Sequence, residues 1–206
     1  MKRFWTKMRL VAGLALGVVY AGLSTPIAAQ PVIHHVRIGN WQEIAAIVAN
    51  QNCPNWCWAA ASEMLVKSQG ICDIPQEEFV RRIYGPGLPC LPTFGSLEPI
   101  RVAITGVYDL PDGSQVALTG AYQYGVPTDV LGMIQSIVQK RPFIFAWQGH
   151  AWVAYGIKFF FTGPLTVQFT EIELIDPLAQ LSGGLRPQFY SFVVGRDLFS
   201  STVFAA

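Results

Sequence analysis

The sequence changes period at Pro142, and that change narrows the fold more than any other feature. Helical spacing dominates before it. After it come "FIFAW", "HAWVAYGIKFFF", "LTVQFTEIELID" and "FYSFVVG", aromatic and β-branched runs separated by Gly and Pro turns. Helices gathered in one part of a chain and strands in another predict an α+β fold, with helices packed on an antiparallel sheet. A core is easy to build, because 51% of residues are hydrophobic and only 13% are charged.

In the helical part, "CWAAASEMLVKSQG" places Ala60, Met64 and Lys67, with Ala61 and Leu65, at helical spacing, and Gly70 stops the run. A second helix is written in "DIPQEEFVRRIYG". Asp73 is its expected cap, Pro75 falls in the first turn, Glu77 and Glu78 lie near the positive end, and Gly85 terminates it. A third, "PTDVLGMIQSIVQKRP", sets Val130, Ile134, Ile137 and Val138 on an apolar side. Between the second and third lie a Gly/Pro-rich loop, "GPGLPCLPTFGSLEP", and "QVALTGAYQYG", which has strand character. The aromatic-rich stretch around "VYDLPDGSQVALTGAYQYG" is expected to serve packing more than a cleft. Residues 30–50 read as a lead-in, with "PVIHHVRI" as a short edge strand.

Residues 1–29 read as a secretory signal. Lys2, Arg3, Lys7 and Arg9 precede the apolar run "LVAGLALGVVYAGL", and the small residues of "STPIAA" suit cleavage near Ala29–Gln30. The run is shorter than the ~20 apolar residues of a transmembrane helix. The expected organisation is therefore a signal peptide over 1–29 and a single domain over 30–206, secreted or periplasmic and without stable membrane insertion, in a compartment where disulfides persist. With a formal net charge of +1 and no block of like charge, a nucleic-acid partner is not expected.

The chain holds four cysteines, Cys53, Cys57, Cys72 and Cys90. A Cys72–Cys90 bridge is the expected pairing, with Cys53–Cys90 and Cys53–Cys72 as competitors. Metal binding is not expected, because Cys53 and Cys57 lack a matching CxxC or HxxxH partner. Cys57 stands apart from the others. At a helix start, the dipole and the unpaired first-turn amides favour the thiolate, and Trp56 and Trp58 flank it.

A nucleophilic thiol needs a base. Of the three histidines, His34 and His35 fall in the lead-in and read as surface residues, whereas His150 opens a hydrophobic strand after a Gly turn. Asp176 ends the following strand, where it can orient and support an imidazole on the neighbouring strand. Glu171 and Glu173, on that strand, are expected to face solvent. Gln51, six residues before Cys57, is within reach to donate to an oxyanion alongside the Cys57 N–H.

The segments "QNCPNWCWA" (51–59), "GHAWVAYG" (149–156) and "LIDP" (174–177) resemble the papain-like cysteine peptidases, and most closely their compact bacterial branch. The spacing from Cys57 to His150 is shorter than the ~130–150 residues of the large papains. Over roughly residues 48–180, the resemblance implies a papain-like fold in which Gln51 is the oxyanion donor, Cys57 the nucleophile, His150 the acid/base and Asp176 its orienter. It implies hydrolysis of a peptide or protein substrate through a thioester, with no metal or organic cofactor. Acyl transfer to an amine, as in transglutaminase-like relatives, is the alternative at the same site. A disulfide-stabilised binding domain without turnover is the non-enzymatic one.

Overall fold

A computed structural model describes residues 30–72, 74–87, 90, 97–125, 128–147, 149–178, 188–193 and 203–205. Residues 31–206 form one compact unit. The expected signal segment, and the Asp73 cap, lie outside the described residues. The architecture is α+β, as the change of period at Pro142 predicts. Five helices, α1 (Trp41–Ile47), α2 (Cys57–Ser68), α3 (Gln76–Tyr84), α4 (Leu97–Ala103) and α5 (Val130–Val138), accompany nine strands among the described residues. The strands are β1 (His34–Arg37), β2 (Gly106–Asp109), β3 (Gln115–Leu118), β4 (Tyr122–Tyr124), β5 (Phe143–Trp147), β6 (His150–Gly163), β7 (Thr166–Asp176), β8 (Gln188–Val193) and β9 (Val203–Ala205). Seven of them make an antiparallel sheet in the order β4-β9-β5-β6-β7-β8, with β1 beside β6, and β2–β3 form a separate hairpin.

Strand β6 is the spine of the sheet. Along one side it pairs first with β5 (Ala154 opposite Phe143) and then with β1 (Ile157 opposite Val36), while β7 runs along the other side. The β5–β6 turn is a two-residue connection in which Trp147 pairs with His150 and Gly149 has φ +78°. Such tight hairpins need a positive φ, which glycine adopts at no steric cost. The "QGH" of the sequence thus sets the position of the histidine.

Helix α2 lies against β5 and β6 and also touches α1, α3 and α4. Its burial runs almost all the way round, from Cys57 through Ser62 and again at Met64–Val66. Trp58, Ala59, Ala60, Ala61 and Met64 are fully buried. Three consecutive alanines allow close approach of backbone to neighbours, and the Trp58 ring stands edge to face with Tyr84 of α3, centroids 6.3 Å apart. The buried hydroxyl of α2, Ser62 Oγ, donates to Trp58 O at 2.8 Å, so it carries no unpaired polar group into the core.

Several local expectations change. The 30–50 lead-in contains α1, closed by a reciprocal capping box in which Asn40 Oδ1 accepts from Glu43 N–H and Glu43 Oε2 accepts from Asn40 N–H. Pro75 is the N-cap of α3 and not a first-turn residue. Val138 is 59% exposed and leaves the apolar side of α5 to Ile134 and Ile137, with Val130 and Met133 partly buried against the core. The β2–β3 stretch packs, as expected. Tyr108 is buried, its hydroxyl donates to Ala103 O at 2.7 Å, and the Arg82 guanidinium lies over its ring.

Glu173 overturns the expectation of a solvent-facing side chain. It is 3% exposed and accepts from Arg37 Nε (2.6 Å) and Arg37 Nη2 (2.5 Å), with His35 Nε2 at 3.0 Å. Burial pushes its carboxyl pKa up, but the hydrogen bonds from Arg37 and His35 outweigh this and hold it below the usual range. Gly156 makes the space, since a Cβ there would lie 2.1 Å from Glu173 Oε2. The cluster fastens edge strand β1 across β6 to β7. Arg37→Ala strands the buried carboxylate and is expected to lower stability by about 2 kcal/mol, read as a fall in the urea midpoint at neutral pH with an unchanged slope.

Candidate active site

The loop Gln51–Trp56 delivers Cys57 to the start of α2. Asn55 takes the left-handed conformation (φ 66°), which asparagine tolerates better than most residues, and Trp56 N–H donates to Cys53 O at 3.2 Å to close the turn. Cys53 is bridged to Cys90, with Cα atoms 5.2 Å apart, so the loop is covalently held four residues ahead of Cys57. The expected Cys72–Cys90 bridge is therefore replaced by the competing pairing, and Cys72 is an exposed free thiol. The bridge is geometric in origin. Cys53 is buried in the loop that meets the segment after α3, whereas Cys72 lies beyond the far end of α2.

Cys57 is free and only 3% exposed. It is the first residue of α2, and its N-cap, Trp56, makes no side-chain capping bond. A tryptophan has no acceptor to offer the first-turn amides. The N-terminal end of α2 thus keeps the positive character of uncapped N–H groups beside the thiol.

His150 and Asp176 meet across β6 and β7. The pairing Val153↔Ile175, carried one residue further, sets Asp176 against Trp152, with His150 diagonal to it on the same face. The imidazole and Trp152 stand edge to face, with ring centroids 4.4 Å apart. His150 Nε2 lies 2.7 Å from Asp176 Oδ1. An ionised carboxylate can only accept, so Nε2 carries the hydrogen of this bond and Nδ1 is the ring nitrogen that Asp176 does not engage. Asp176 Oδ1 also accepts from Leu178 N–H at 2.8 Å, in a turn continued by Pro177. Burial works against the imidazolium, but hydrogen bonds to Asp176 and Cys57, and the charges of both, outweigh it and push the His150 pKa up to about 9.

The structure thus brings Cys57, His150 and Asp176 together, with a hydrogen bond between His150 and Asp176 and with Cys57 near enough to bear on the charge of the imidazole. Gln51 bonds to residues that flank this group and to none of its three members. Its N–H donates to Pro177 O at 2.6 Å, tying the loop before Cys57 to the residue after Asp176. Its Nε2 donates to Cys53 O at 3.0 Å, and its Oε1 is buried without a partner. His34 and His35 lie on β1, away from this series, on the strand that pairs with the far half of β6. Among the described residues there is no cluster of three or more His, Cys, Asp or Glu side chains that could hold a metal ion, and no helix is long and apolar enough to cross a membrane.

One residue in this neighbourhood is missed by sequence reading. Gln76 is 2% exposed and binds the loop on either side of Gln51. The signal was present, because Gln76, Phe79, Val80 and Ile83 share one helical stripe and a glutamine on a buried stripe needs partners.

No protein-family model, curated protein or solved structure matches this chain. The geometry is therefore the ground for a functional reading.

Removing the carboxylate from His150 should undo much of its shift. In Asp176→Asn, the imidazole titration followed by NMR is expected to move down from about 9 by ~1 unit or more. A midpoint that stays put would show that Asp176 does not support the charged ring.

Proposed function

We propose that this protein is a papain-like cysteine peptidase that hydrolyses a peptide bond through a thioester. The observation that carries the reading is the Cys57–His150–Asp176 series, with a thiol at a helix N-terminus and an imidazole whose basicity is raised by a buried carboxylate. His150 is then predominantly imidazolium at neutral pH, which suits a thiolate partner better than a thiol.

In the proposed reaction, Cys57 Sγ attacks the carbonyl carbon, and the π pair moves to oxygen. The oxyanion is met by the Cys57 N–H and by the Gln51 amide, which has a second Nε2 hydrogen beyond the one given to Cys53 O. His150 gives its Nδ1 proton to the leaving nitrogen, the C–N bond breaks, and a thioester remains. Water then loses a proton to His150 as it attacks. The C–S bond breaks, and the thiolate–imidazolium pair is restored. Asp176 keeps the ring aligned throughout. The Cys53–Cys90 bridge supports placing the protein in an oxidising compartment, secreted or periplasmic.

A proteome-derived peptide mixture, analysed by mass spectrometry for new termini, tests this reading. The intact protein is expected to create them, while Cys57→Ala and His150→Ala lower the rate at least ~1,000-fold. Equal cleavage by Cys57→Ala would remove the basis of the proposal. Adding a primary amine would divert product to the amide if acyl transfer were the true reaction. Activity is expected to be lost as pH rises through about 9, because His150 then lacks the proton that the leaving nitrogen requires.

A further inference from the structure

The two residues that flank Gln51 are held by a single buried side chain. Gln76 Nε2 donates to Asn50 O at 2.7 Å, and Gln76 Oε1 accepts from Asn52 N–H at 2.9 Å. The same Nε2 donates to Glu63 Oε2 at 2.8 Å, and Glu63 lies on α2, where it pairs with Lys67. These partners also fix the orientation of the amide. The two oxygens around Nε2 are acceptors and the nitrogen at Oε1 is a donor, so a flipped amide would fail at all three contacts.

The Asn50–Gln51 peptide is consequently gripped from both ends. Its carbonyl accepts from Gln76, and its N–H donates to Pro177 O at 2.6 Å. With Asn52 N–H also committed to Gln76, the backbone of Gln51 has little freedom to turn, and the direction of its side chain is set with it. An amide that must meet a developing oxyanion within a few tenths of an ångström needs this kind of support.

We propose that Gln76 is a positioning residue for the oxyanion donor, holding the Gln51 loop to the nucleophile helix through Glu63. This rests on the peptidase reading above, and it adds a residue that touches neither substrate nor thiol. It makes a specific kinetic claim. Gln76 matters only for reactions that develop an oxyanion.

Two electrophiles separate the claims on the whole protein. p-Nitrophenyl acetate acylates the thiolate through a tetrahedral oxyanion and releases nitrophenolate. Iodoacetamide alkylates the same sulfur by direct displacement of iodide and forms no oxyanion. In Gln76→Ala, the acylation rate is expected to fall about 10-fold or more, while alkylation of Cys57 stays within about twofold of the unaltered protein. Gln51→Ala should show the same selective loss, and the double variant should be no worse than Gln51→Ala alone. Gln76→Met, which keeps the volume without the hydrogen bonds, is read beside Gln76→Ala in case truncation unfolds the chain. Losses that multiply in the double variant, a parallel fall in alkylation, or failure of both Gln76 variants to fold would overturn the proposal and leave Gln76 a folding residue. If instead the unaltered protein releases nitrophenolate no faster than Cys57→Ala does, it is the peptidase reading that fails.

Discussion

Everything in the site depends on how closely helix α2 can approach the sheet. Ala59, Ala60 and Ala61 carry almost no side chain, and all three are fully buried. That closeness sets the first residue of the helix, Cys57, at the level where His150 opens β6. A larger residue at Ala60 would drive the helix and its neighbours apart, at a typical cost of about 1–3 kcal/mol in a well-packed core. The contact of α2 with the strands β5 and β6 therefore carries both packing and the placement of Cys57 beside the sheet.

The polar connections are laid over this apolar foundation as one continuous circuit from the start of α2 to His150. From Cys57 it runs along α2 to Glu63, through Gln76 to the backbone of Asn50–Asn52, from Gln51 N–H to Pro177 O, and through Asp176 to His150. Where the path leaves the chain, it crosses hydrogen bonds of 2.6–2.9 Å between groups that are wholly or partly buried, where an unmade bond costs more than a made one gains. Such a circuit tolerates little slack, because loosening one joint leaves its neighbours with unsatisfied groups.

What could be read from the sequence was what local patterning dictates. The start of α2, the two-residue hairpin before His150 and the end of β7 at Asp176 each carry a turn or cap signal in the adjacent residues. The buried state of Glu173 could not be read that way. It depends on Arg37 and His35, which reach it only once β1 has found β6. The disulfide pairing is long-range for the same reason, and the sequence ranking that put Cys72–Cys90 first had no sight of the approach of Cys53 to Cys90. Helix α1 is different in kind, for its Asn40–Glu43 capping box was legible and the short apolar run behind it obscured it. Gln76 is intermediate. Its place on a buried stripe was visible, but its partners were not.

The Cys53–Cys90 bridge also divides the site by the order in which it can be built. The bridge spans 37 residues of sequence and encloses Cys57, all of α2 and all of α3, while His150 and Asp176 lie outside the ring. Closing a loop of that size removes about 4 kcal/mol of chain entropy from the unfolded state, and it can happen before the last strands of the sheet exist. At that stage neither His150 nor Asp176 has been brought beside Cys57. The ring thus holds the free cysteine and its helix, and the His150–Asp176 pair is delivered to them from a later part of the chain.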